Sequence, residues 1–179
     1  YEIPLRLVGS EMCIRDSRMT CAPWADKIQF RLGSGLSVLQ PGEATEIIIA
    51  GMGAETVLEI LDAAPWVRNE QYNFVFVPAT KHSVLRKGLA QRGFALKSET
   101  LCRAAGRLYT VINAQYTGRA AEPTGLACLC GKTQGQPEAQ AYREQQLVKL
   151  KKYRLGLAPG PQADGVDALI QEMEDGLWP

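Results

Sequence analysis

The run Ile47-Ile48-Ile49-Ala50-Gly51-Met52-Gly53 constrains this chain more than any other stretch. Three consecutive β-branched residues predict a strand buried on both faces, as in parallel sheets. The Gly-x-Gly that follows lets the backbone turn tightly and approach a ligand at the carboxyl end of the strand. Val57, Leu58 and Leu61 then share one helical face within 56–64. The unit is therefore strand, glycine turn, helix.

Its neighbours repeat the pattern. Ile28 to Leu32 alternates as a strand and ends in Gly33-Ser34-Gly35-Leu36, a second glycine turn. Residues 72–77 form a third apolar run that stops at Pro78, and a helix is expected over 83–92. Residues 96–102 and 107–114 read as two strands joined by a turn at Ala104-Ala105-Gly106. The order βαβαβα followed by a β-hairpin predicts an α/β fold with three parallel strands closed by an antiparallel pair.

These motifs, in this order, resemble the bacterial tRNA (adenine(22)-N(1))-methyltransferases, whose sheet is of the Rossmann-like class I methyltransferase type. That family reads Arg-x-Gly-Asp-Gly-Leu where this chain has Arg31 to Leu36, and Ile-Ala-Gly-Met-Gly-Gly where it has Ile49 to Ala54. Gly106-Arg107-Leu108-Tyr109 and a helical C-terminal extension add to the likeness, which covers about 25–176. The resemblance implies S-adenosylmethionine as cofactor, bound by Gly33, Ser34, Gly35, Leu36, Gly51, Met52 and Gly53, and tRNA as substrate. It implies methyl transfer to N1 of adenine, whose lone pair is available without a general base, so catalysis is mostly positioning. No acid–base residue is singled out as catalytic. The lone His82 reads as a surface residue at a helix start.

Two departures bear on that reading. Ser34 stands where the family's aspartate would bond the cofactor adenine, and Val77-Pro78-Ala79 stands where Gln-Pro-Asn is common. The family's first strand with its glycine-rich turn, and a second strand ending in an acidic residue, are not recognisable before Ile28. Residues 1–17 fit nothing in the family and read as a non-native segment resembling translated adapter sequence, or else as a divergent N-terminus. The expected organisation is a partial sheet domain over 18–116, a linker over 117–136 punctuated by Gly and Pro, and a helical hairpin over 137–179.

Net charge is +1, so charge distribution carries the information. Lys149, Lys151, Lys152 and Arg154 cluster on the first hairpin helix, while Glu172, Glu174 and Asp175 lie on the second, which Asp164 is expected to cap. Together with Lys81 and Arg86 the basic residues are candidate contacts for RNA phosphates; a face neutralised by the acidic helix is the competing reading. Five cysteines and one histidine form no ligand set for a metal. No apolar run spans a membrane, and a cytoplasmic monomer is expected. Two functions stay open: the C-terminal portion of a tRNA methyltransferase, catalytically complete only with its N-terminal strands, or a non-catalytic RNA-binding or partner module on that fold. A small-molecule methyltransferase is a third, which leaves the basic tail unexplained.

Overall fold

The computed structural model describes residues 5–9 and 11–178. Among the described residues the strands are β1 (Leu5–Gly9), β2 (Ile28–Leu32), β3 (Glu46–Ala50), β4 (Asn73–Val77), β5 (Phe94–Ala104) and β6 (Arg107–Tyr116). The α-helices among these residues are α1 (Glu11–Thr20), α2 (Ala54–Asp62), α3 (His82–Gln91), α4 (Gly125–Cys130), α5 (Ala139–Leu155) and α6 (Pro161–Glu174).

Four strands form a mixed sheet in the order β3-β4-β6-β5, with β3 and β4 parallel and the β5–β6 hairpin antiparallel. The expected third parallel strand is not in this sheet. β2 pairs instead with β1, in parallel, as a separate two-stranded sheet. A strand therefore does precede Ile28, followed by a helix, where the sequence pattern offered none.

Helices α2 and α3 cover one face of the main sheet. Val57, Leu58, Leu61, Leu85 and Leu89 pack there on Ile47, Ile49, Phe74, Phe76, Ile112 and Ala114. A Cβ on Gly88 would collide with Leu58, so the glycine permits the close crossing of α3 over α2. The opposite face is open at β3: Ile48 is 69% exposed, so this strand alternates rather than being buried on both sides.

The segment expected to be a linker is instead stitched to the domain. It carries α4, whose Leu126, Cys128 and Cys130 are buried, with Thr124 accepting from the Ala127 amide as N-cap. Gln136 acts as a strand surrogate at the sheet edge: Leu101 N donates to its Oε1 at 2.8 Å and its Nε2 donates to Glu99 O at 2.7 Å. Gly118, Gly131 and Gly135 in this segment are residues with positive φ, whereas Gly125 opens α4.

The helical hairpin forms as expected. Leu126, Cys130, Leu150 and Met173 build a second core with Leu147, Val166, Leu169 and Ile170 against it. Asp164 is not the cap of α6. The helix begins three residues earlier, at Pro161 after Gly160, and the Asp164 amide already donates to Gly160 O. Pro161 supplies a helical φ and needs no amide partner there, so the helix starts at the proline. Leu177 lies beyond the helix end and is exposed.

Candidate active site at the strand ends

The glycine corner after β3 and the loop after β4 are zipped together through the backbone. Gly51 N donates to Val77 O and Ala79 N donates to Met52 O, both at 2.9 Å. A further parallel bridge joins Gly53 to Thr80, and Lys81 forms an ion pair with Glu55 in the first turn of α2. The Lys81 bond holds the Glu55 carboxyl below its usual pKa. Gly51 has φ +77°, a conformation that L side chains rarely adopt, and nothing lies within 4 Å of where its Cβ would sit. The corner thus presents bare backbone to open space beside the partly exposed Met52.

The other glycine turn is docked differently. Leu36 enters the main core, and a Cβ on Gly35 (φ +54°) would come within 2.8 Å of Ile60 on α2. Gly33 is equally constrained, since a Cβ there would collide with Val38. Ile60 lies about 9 Å along α2 from its start, at 1.5 Å per residue. Gly35 therefore meets the flank of the helix that Gly51 to Gly53 launch, and Ser34 is exposed. Arg31, just before this turn, forks onto Glu43 at 2.6 and 2.7 Å and bonds Val38 O, bracing the loop.

Behind the β4 loop lies a polar cluster the sequence did not announce. Arg86 is 2% exposed and faces inward, not toward solvent. It forks onto Glu99 of β5, donates from Nη1 to the carbonyls of Cys128 and Leu129, and from Nη2 to Tyr142 Oη at 3.0 Å. Arg86 is thereby removed from the RNA-contact candidates: every donor is spent inside the fold. His82 is no free surface residue either. Its Nδ1 lies 3.2 Å from Tyr142 Oη and its Nε2 3.2 Å from Pro78 O. Burial, then the Arg86 and Lys149 cations, lower its pKa to about 4.

A family model described as a methyltransferase domain matches residues 15–112, more than half of the chain. The chain belongs to this methyltransferase domain family. It is also 31% identical over 126 residues to the tRNA (adenine(22)-N(1))-methyltransferase of Bacillus subtilis (strain 168), across 70% of this chain and 52% of the relative. The chain thus spans about half the length of the curated relative it matches. Among solved structures it is similar to a protein in the NADB-Rossmann superfamily from Streptococcus agalactiae (TM-score 0.78, 17% identity, 97% of this chain and 79% of that one). It is similar too to M. capricolum TrmK in complex with S-adenosyl-homocysteine (TM-score 0.73, 16% identity, 97% and 80%). These likenesses confirm the Rossmann-like methyltransferase fold.

Beyond the matched domain the basic tail divides in two. Lys151 pairs with Glu174 at 2.5 Å and Arg154 with Asp167 at 2.8 Å, so these two neutralise α6 as the competing reading holds. Among the described residues no ion pair holds Lys149 or Lys152. Lys149 is also the one whose charge reaches His82. Arg143 lies buried on the same helix, over the Trp178 ring and donating to Met173 O. No helix of the described residues is long and apolar enough to cross a membrane.

Two sequence signals could have found the buried cluster. Glu99 has the same inward parity as Leu101 on β5, and a carboxylate at an inward strand position requires a partner. Tyr142 sits on the apolar face of α5 with a hydroxyl that needs one.

Proposed function

We propose that the chain is the C-terminal portion of a cytoplasmic, monomeric tRNA methyltransferase that transfers a methyl group from S-adenosylmethionine to N1 of adenine. The observation that carries the reading is the corner Gly51-Met52-Gly53, where bare backbone with φ +77° opens into unfilled space at the carboxyl end of a parallel strand. That space suits a ligand approaching the backbone closely, so the residues fit the cofactor. The identity to the Bacillus subtilis relative supplies the substrate class.

Gly51, Met52 and Gly53 would hold the methionine side of S-adenosylmethionine, with Gly33, Ser34, Gly35 and Leu36 toward its adenine. When bound, the cofactor supplies an electrophilic methyl group on a sulfonium. The residues of this chain orient and desolvate: the zipped loops fix the corner, and the neutral His82 leaves the loop free of added charge. Positioning of this kind suits a target nitrogen that already carries its lone pair. Lys149 and Lys152 would meet RNA phosphates, and Lys81 would lie at the rim, held by Glu55.

The competing function, a non-catalytic RNA-binding or partner module, draws on Ser34, Val77 and Ala79, which lack the polar groups the family uses. One experiment separates the two. The segment of the Bacillus subtilis relative that precedes the matched region is joined ahead of Arg18, and the chimera is assayed for methyl transfer to tRNA transcripts. Formation of 1-methyladenosine is expected. tRNA binding without transfer would favour the non-catalytic module.

A further inference from the structure

An unbroken line of hydrogen bonds runs from the sheet to the strand-end loop through the helical hairpin. Glu99 accepts from Arg86 Nη2 at 2.8 Å, and the same Nη2 donates to Tyr142 Oη at 3.0 Å. Tyr142 Oη meets His82 Nδ1, and His82 Nε2 meets the Pro78 carbonyl, each at 3.2 Å. Chemistry dictates the direction of the links at the two ends. A guanidinium only donates, so the Tyr142 oxygen accepts from it and its own proton is available to Nδ1. A carbonyl only accepts, so Nε2 carries the imidazole proton. A neutral ring of one tautomer meets both demands, and the low pKa of His82 agrees with it. The Thr110 hydroxyl, 3.4 Å from Nδ1, also bonds Tyr142 and so bridges the two side chains.

The far end of the line is the loop that needs holding. Pro78 begins it, Ala79 N anchors Met52 O of the glycine corner, and Lys81 adopts φ 57°, a strained angle for a residue other than glycine. Midway along the line is Tyr142 on α5, the helix that also carries Lys149, whose charge reaches His82.

We propose that Tyr142 is a positioning residue: through His82 it transmits the orientation of the α5–α6 hairpin to the Pro78–Lys81 loop, coupling the two. The relay stands on contacts within this chain; that the hairpin's ligand is tRNA rests on the proposed function.

His82 is the only histidine, so its ring nitrogens give one unambiguous pair of NMR signals. The parent chain of residues 1–179 should show a neutral Nε2–H tautomer. Tyr142→Phe keeps the ring and its volume and removes only the hydroxyl. It should shift the ring toward mixed tautomers and speed amide exchange at Ala79 by about tenfold, the effect of losing one supporting hydrogen bond. Amides of the β4–β6 ladder, at Phe74 and Phe76, should be unchanged. An unaltered tautomer and unaltered Ala79 exchange in Tyr142→Phe would overturn the proposal. If Tyr142→Phe unfolds, as seen in the ladder amides, His82→Phe is used instead. Faster Ala79 exchange there supports the relay, and parent-like exchange overturns it. With tRNA added, the His82 signals should move in the parent and stay still in Tyr142→Phe; equal movement in both overturns the coupling. Absence of tRNA binding to either chain would count against the proposed function alone, since the relay is decided without nucleic acid.

Discussion

Arg86 Nη2 and Glu99 Oε2 meet at 2.8 Å with side chains only 2% and 0% exposed, which makes them a buried ion pair holding α3 against β5. Lys132 N adds a bond to Glu99, and the chain passes so close at Gly131 that a Cβ there would collide with both partners. Breaking such a pair leaves a desolvated charge, whereas replacing both partners by apolar residues does not. Glu99→Ala is expected to lower unfolding free energy by about 3–5 kcal/mol. The double change Arg86→Met with Glu99→Leu should cost clearly less. Urea unfolding of the three chains checks this, and an equal loss in the double variant would show that the bonds of this pair to the Cys128 and Leu129 carbonyls and to Lys132 N carry the stability.

The His82 ring makes stability depend on pH. Its folded pKa, about 4, lies below the ordinary value of 6.5, so between these values the unfolded chain binds more protons. Stability from this residue is complete above about pH 6.5 and is lost as pH falls toward 4. Allowing for partial exposure and screening, the loss from pH 7 to 4.5 is about 1–2 kcal/mol. His82→Gln should remove that increment, leaving the slope due to the carboxylates. Denaturation at the two pH values, parent against variant, measures the difference.

How much of this was readable in the sequence follows from what each residue must satisfy locally. The strand–glycine–helix corner was legible because β-branched residues and Gly51 both answer to backbone geometry, which neighbours in sequence determine. The hairpin α5–α6 was legible in its periodicity and its proline break. Arg86 was misread as exposed because its burial depends on Glu99, Tyr142 and the carbonyls of α4, all remote in sequence. The supposed linker failed for the same reason: Gln136 is polar by composition yet completes the edge of β5. Ile48 erred the other way, since burial on its outer face depends on what covers the sheet there. For the tail, charge alone could not divide Lys149 and Lys152 from Lys151 and Arg154. Only the register of α5 against α6 does.

Gly51 separates strain from collision. Its φ of +77° makes any side chain costly, about 1 kcal/mol for Ala, yet no protein atom obstructs the new Cβ. Gly51→Ala should therefore fold with that modest loss. In the chimera bearing the Bacillus subtilis segment, Gly51→Val should lower methyl transfer by about 100-fold, as a displaced substrate would. Thermal melts and turnover together check this; turnover within a few-fold of the parent would remove the corner from the active site.

The β5–β6 turn carries a local cost that can be relieved. Ala105 (φ 47°) and Gly106 (φ 74°) both have positive φ, the pattern of a type I′ hairpin turn, and Ala105 is exposed. Asn tolerates that angle better than Ala. Ala105→Asn should stabilise by about 0.5–1 kcal/mol without touching the site. A higher urea midpoint with unchanged denaturant slope is the expected result.

Lys149 and Lys152 have no ion-pair partner among the described residues, whereas Lys151 and Arg154 are engaged with Glu174 and Asp167. A phosphate contact releases counterions only if the cation is available to make it, and each contributes about 0.9 to the slope of log affinity against log salt. Lys149→Ala with Lys152→Ala should therefore lower the slope by about two units. Lys151→Ala with Arg154→Ala should change it less, while loosening α5 from α6. tRNA titrations across a salt series compare the two pairs. If the paired residues carry the larger slope, RNA must displace α6 from them on binding, and the hairpin in its present register would not be the tRNA-bound form.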